Sequence, residues 1–208
     1  MKTDPTFWLL ARAAGLTAYA LLTASALFGL ILRSRPFGKR VKAPTMLDLH
    51  RLIALLAVTA LAVHGIALTF DKTIHIDLLG LFVPGRIPYR HLWVGVGVVT
   101  AELTAIVVVS FWVRKKIGMK NWRRLHWTTY ALFVGATAHG LFSGSDSNQH
   151  WAQLLYLAAI GSVVLATTWR FLTVRKPAGR ARTKGTPTKG TPAKVTGSVE
   201  SAVDSATA

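Results

Sequence analysis

Four histidines have a spacing that invites chemistry: His50 and His64 lie in one apolar segment, His126 and His139 in another. The intervals of 14 and 13 residues correspond to about 21 Å and about 19.5 Å along a helix. If both segments cross a bilayer in the same direction, His50 and His126 fall at one depth and His64 and His139 at another. The result is two level pairs stacked through most of a hydrocarbon layer about 30 Å thick. A neutral imidazole offers a ring nitrogen to a metal, and two imidazoles from opposite sides fill both axial positions of a haem iron. Such an iron changes oxidation state but does not readily take up oxygen or substrate, which favours electron relay. The chain has no cysteine, which excludes disulfides, iron–sulfur clusters, Cys-ligated zinc, thiolate haem and covalent c-type attachment.

The facing of the four residues is less regular than their depth. Fourteen positions return His64 to within about 40° of His50, whereas thirteen leave His139 about 140° from His126 on an ideal helix. Local tightening, strain near Gly135 or a helix crossing has to compensate. Gly65 and Gly140 stand beside two of the ligand candidates, with Gly135, Ala136 and Ala138 nearby, which would let a flat ring approach the backbone. Otherwise the small residues only mediate helix packing, and the end histidines sit in the membrane interface.

The elements that must position these groups are membrane spans. Of 208 residues, 51% are hydrophobic and 16% charged, and the mean hydropathy is +0.40; soluble domains carry roughly 25% charge. Apolar runs long enough to cross cover about residues 7–32, 49–70, 91–113, 125–143 and 151–173, the fourth being the shortest. The basic cluster from Arg33 to Lys42 follows the first run instead of preceding it, so this run is a retained span and not a signal peptide. Lys and Arg alternate between the connections, 20 on one side and 5 on the other. By the positive-inside rule the amino terminus is outside and the carboxyl tail cytoplasmic, as expected in a plasma membrane. Trp8, Trp93 and Trp151 mark outer ends, and Trp112, Trp122, Trp127 and Trp169 inner ends. The net charge of +17 is thus mostly an orientation signal, and nucleic acid is not the expected partner.

The expected fold is all-α: an integral membrane bundle of five transmembrane helices over residues 1–175, with a disordered cytoplasmic tail over 176–208. The tail carries a direct repeat, Thr183–Pro187 followed by Thr188–Pro192, and its composition is that of a chain without a core. Within the loop over residues 71–90, the stretch Ile74–Pro84 is apolar but too short to span, and the loop reads as an interfacial lid on the outer face.

The motifs Leu49-His50-Arg51, with His64 beyond, and Trp122-Arg123-Arg124-Leu125-His126, followed by Tyr130 and His139-Gly140, resemble the ferric reductase-like transmembrane domain. That family includes the membrane core of NADPH oxidases, ferric reductases and the haem subunit of periplasmic methionine sulfoxide reductase. The resemblance covers about residues 7–173. It implies two b-type haems, the inner held by His50 and His126 and the outer by His64 and His139. Arg12 is similar to the arginine that NADPH oxidases place beside the outer haem, or is a snorkelling interface residue. Unlike NADPH oxidases, the chain shows neither a further preceding span nor a flavin and nicotinamide domain. Electrons are therefore expected from a separate flavoprotein, bound flavin or quinol, which makes the chain an electron-transfer subunit of an oxidoreductase.

Arg51, Arg123 and Arg124 on the inner side, and Arg12, Arg86 or Arg90 on the outer, are candidates to neutralise haem propionates, or simply topology charges. His75, His91 and His150 lie on the outer side, where they either bind ferric iron, steer an acceptor or are inert. Glu102, mid-span, is protonated, reaches Arg12, serves a proton or quinone site, or packs as a neutral acid. Acceptors consistent with the reading are a methionine sulfoxide reductase partner, ferric iron and oxygen. The rivals are a quinol-linked cytochrome b subunit of a larger dehydrogenase and a haem-free scaffold or small transporter.

Overall fold

The computed structural model describes residues 5–34, 43–72 and 76–173. The tail beyond 173, His75 and most of the first basic cluster lie outside them. Among the described residues every regular element is helical: α1 (Thr6–Ser34), α2 (Ala43–Phe70), α3 (His91–Ile117), α4 (Met119–Trp127), α5 (Thr129–Ser143) and α6 (His150–Thr173), with a 3-10 turn at Leu78–Leu81. Four of these, α1, α2, α3 and α6, are long and apolar enough to cross a membrane. In hydrocarbon every backbone N–H and C=O needs an internal partner, and uninterrupted helices supply one. Leu157, Leu165 and Leu172 on α6 are 65–77% exposed, which suits contact with lipid rather than water. The protein is a multi-pass membrane protein with an all-α bundle.

The fourth predicted span is resolved in more detail than its hydropathy indicated. Its first three residues, 125–127, end the short, basic α4, and after Thr128 the rest forms the 15-residue α5. Thr128 N–H donates to the Leu125 carbonyl three residues back, and the hydroxyls of Thr128 and Thr129 donate to the carbonyls of Leu125 and His126. Those extra donors draw carbonyls away from the regular i→i−4 ladder. Gly118, at φ +84°, gives the turn from α3 into α4 a backbone conformation that a Cβ would strain.

α1 packs along α2 on one side and against α6 on the other, while α3 packs along α5. Where α1, α5 and α6 meet, Tyr19, Phe133 and Tyr156 join buried Ala152, Ala159 and Val163. The Tyr19 hydroxyl is 3.0 Å from that of Thr137, which satisfies a polar group in the apolar interior. α2 and α5, by contrast, face one another and hardly touch.

Outside the helices, Asp77 organises the apolar loop before α3. It accepts from Gly80 N–H at 2.9 Å and from Arg86 at 2.8 Å. Leu78, Leu79 and Phe82 remain well exposed there, as a segment resting in the membrane interface would be.

Candidate functional site

The four histidines come together as the two pairs their spacing predicts. His50 on α2 faces His126 on α4, and His64 on α2 faces His139 on α5, with ring centroids 6.3 Å apart in each pair. The break at Thr128 resolves the angular mismatch between His126 and His139, because they stand on different helices and one continuous rotation no longer relates them.

Hydrogen bonds fix the orientation of three of the rings. Nδ1 of His64 lies 2.7 Å from the Ala11 carbonyl, Nδ1 of His139 lies 2.9 Å from that of Trp93, and Nδ1 of His50 lies 3.0 Å from that of Ser25. A carbonyl only accepts, so each ring carries its proton on Nδ1 and keeps the lone pair on Nε2. His64 is tied outward to α1 and His139 outward to α3, so the nitrogen on the far side of each ring is free toward the space between them. His126 is held differently, stacked on Trp122 at 5.2 Å.

The separation lies within the range of ordinary edge-to-face ring contacts and also suits a shared metal. Two imidazoles on opposite sides of one metal need a bond of about 2.0–2.1 Å each, plus about 1.1 Å from each nitrogen to its ring centre, a total of about 6.3 Å. Both observed pairs match that span. Among the described residues no group of three or more His, Asp or Glu side chains could hold a metal ion by itself.

Glycines matter, but not those expected from sequence. A Cβ on Gly65 would meet only Leu81 of the loop, at ordinary contact distance, while one on Gly135 would meet Thr100 and one on Gly140 would strike Tyr156; the last two serve helix packing. The glycines against the imidazoles are Gly15 and Gly29 on α1 and Gly97 on α3. A Cβ on Gly15 would lie 2.9 Å from His64 Nδ1, one on Gly29 would lie 3.5 Å from His50 Cε1, and one on Gly97 would overlap the His139 ring.

Arg12 forms a bidentate ion pair with Asp146 and lies over the Trp8 ring at 4.8 Å. Its ion-pair partner is thus Asp146 rather than Glu102, which is half-buried in α3. Arg51 bonds Asp48 at 3.0 Å and lies 4.7 Å from the Phe111 ring centre, with its Nε buried and unpartnered. Arg123 and Arg124 are exposed on α4. Arg86 is taken by Asp77, and Arg90 donates to the Phe142 carbonyl at 2.6 Å. His91 and His150 are exposed at the first residues of α3 and α6. Sequence reasoning missed Asp146, the single acid between the last two spans.

The interior of this membrane bundle thus presents two stacked imidazole couples between its helices. The family model described as ferric reductase like transmembrane component matches residues 14–137, more than half of the chain, and the chain belongs to that family. The match takes in His50, His64 and His126 and ends two residues before His139. Comparison with the curated proteins and with the solved structures gives no match.

Proposed function

We propose that this protein carries electrons across the membrane by way of two b-type haems, one held by His50 and His126 and the other by His64 and His139. The observation that carries the reading is the 6.3 Å separation in both pairs, joined to the Nδ1–H bonds that leave Nε2 free. His50 with His126, and His64 with His139, would each hold one haem, and a haem held there would supply a one-electron ferric/ferrous couple. The chain's own contribution is orientation and environment. Ala11, Ser25 and Trp93 carbonyls fix the tautomer and raise the basicity of the ligand nitrogen, and the apolar walls of α2 and α5 keep water out.

The basic end of the bundle, with Arg51, Arg114, Lys115, Lys116, Lys120, Arg123 and Arg124, is the cytoplasmic end in this reading. Reducing equivalents arrive there from a separate flavoprotein, flavin or quinol. They leave at the opposite end to a methionine sulfoxide reductase partner or ferric iron. In this reading Arg51 would meet an inner propionate, and its unpartnered Nε supports that role.

The test is a reduced-minus-oxidised absorbance spectrum of the purified chain with its haem-to-protein ratio. Sharp reduced bands at about two haems per chain are expected for bis-histidine sites. His64→Ala and His139→Ala should each remove the same haem and spare the other. Wild-type protein without such bands would leave a haem-free membrane scaffold, and full haem retention in both variants would overturn the ligand assignment.

A further inference from the structure

The three hydrogen-bonded histidines share a device. The accepting carbonyls belong to Ala11, Ser25 and Trp93, and in each case the residue four positions later is a glycine: Gly15, Gly29 and Gly97. In an α-helix the carbonyl of one residue already accepts from the N–H four residues on. The Cβ of that later residue leans back toward the helix N-terminus and overhangs the same carbonyl. A glycine there removes the overhang, and the second lone pair of the oxygen becomes reachable from a neighbouring helix.

We propose that Gly15 and Gly97 are positioning residues of the His64–His139 pair. By lacking a Cβ they uncover the Ala11 and Trp93 carbonyls and so hold both Nδ1–H groups outward and both Nε2 lone pairs inward. A Cβ on Gly29 would lie at ordinary contact distance, 3.5 Å from His50 Cε1, so His50 does not depend on its glycine in the same way. The fourth place is filled otherwise. One 14-residue step along α3 from Trp93 and Gly97 lie Val107 and Phe111, and Phe111 stands 6.4 Å from Trp122, the residue on which His126 stacks. The two pairs are therefore held differently, one by two carbonyls and the other by one carbonyl and an indole. This inference rests on the haem reading for its redox consequence but not for its geometry.

The test compares full-length Gly15→Ala, Gly97→Ala and Gly29→Ala with Gly161→Ala, a control whose Cβ meets nothing within 4 Å. Three quantities are read: haem-to-protein ratio, redox titration of the reduced bands, and 15N NMR of ring-labelled histidine. Gly15→Ala and Gly97→Ala are expected to disturb the same one of two haem signals, weakening retention there about 10–100-fold. The second signal remains as an internal measure of fold. His64 loses its Nδ1–H resonance in Gly15→Ala, and His139 loses its own in Gly97→Ala, while Gly29→Ala and Gly161→Ala keep both haems. Unchanged ratio, potentials and Nδ1–H resonances in Gly15→Ala and Gly97→Ala overturn the proposal. Loss of both haems together in those variants also overturns it, because a positioning residue of one pair leaves the other standing. If wild-type protein holds no haem, the proposed function fails, and the tautomer of His64 and His139 in that chain still decides this inference.

Discussion

Asp146 shows how much a single side chain can settle. Its side chain is 12% exposed and that of Arg12 is 31%, so the pair is neither a surface ornament nor a fully buried charge. A bidentate guanidinium–carboxylate bond in that setting ties the start of α1 to the connection between α5 and α6. Asp146→Asn should leave Arg12 half-served and lower stability by about 1.5–3 kcal/mol, the value typical of hydrogen bonds to charged groups, read as a lower melting temperature in detergent. An unchanged melting curve would show that the pair carries no structural load. Nothing local in the sequence joins Arg12 to Asp146 across 134 positions. The four histidines, by contrast, were legible at once, because helix rise converts spacing into depth.

At the scale of elements, legibility depended on whether the controlling interaction lay within one segment. Hydropathy marks α1, α2, α3 and α6 directly. It did not reveal the division of α4 from α5, since hydroxyl donors at Thr128 and Thr129 cause it and an apolar average does not register them. The loop around Asp77 is a second case, and it carries a pH dependence. The Arg86 hydrogen bond holds the Asp77 carboxyl below its usual range, and the same bond raises the Arg86 guanidinium. A carboxylate with a depressed folded pKa contributes its stabilisation above the unfolded value and loses it as pH falls through the folded one. The clip should therefore persist at neutral pH and open only below the ordinary aspartate range, about pH 4. Pepsin cleavage between Leu78 and Phe82 is the readout. It should appear only under strong acid in wild type and already at about pH 5 in Asp77→Asn; equal cleavage of the two at every pH would dissociate the loop from this carboxylate.

For the whole molecule, the architecture followed from composition, and orientation is the remaining prediction of that kind. With no native cysteine, Ser145→Cys and Lys120→Cys each give one reporter. An impermeant maleimide on intact cells should label the first, and should label the second only after lysis; the reverse pattern would invert the topology and the direction proposed for electrons. What composition hid was the fit between helices, although its trace is present: Gly15 and Gly29 repeat at the same 14-residue interval as His50 and His64. Bilayer helices lack a hydrophobic force to choose how they slide against each other. Here α1 and α2 run antiparallel with two notches meeting two tongues, and sliding by one helical turn seats neither. The arrangement works as a vernier, in which agreement at two distant marks selects one alignment from many and makes depth in the bilayer a matched property of both helices.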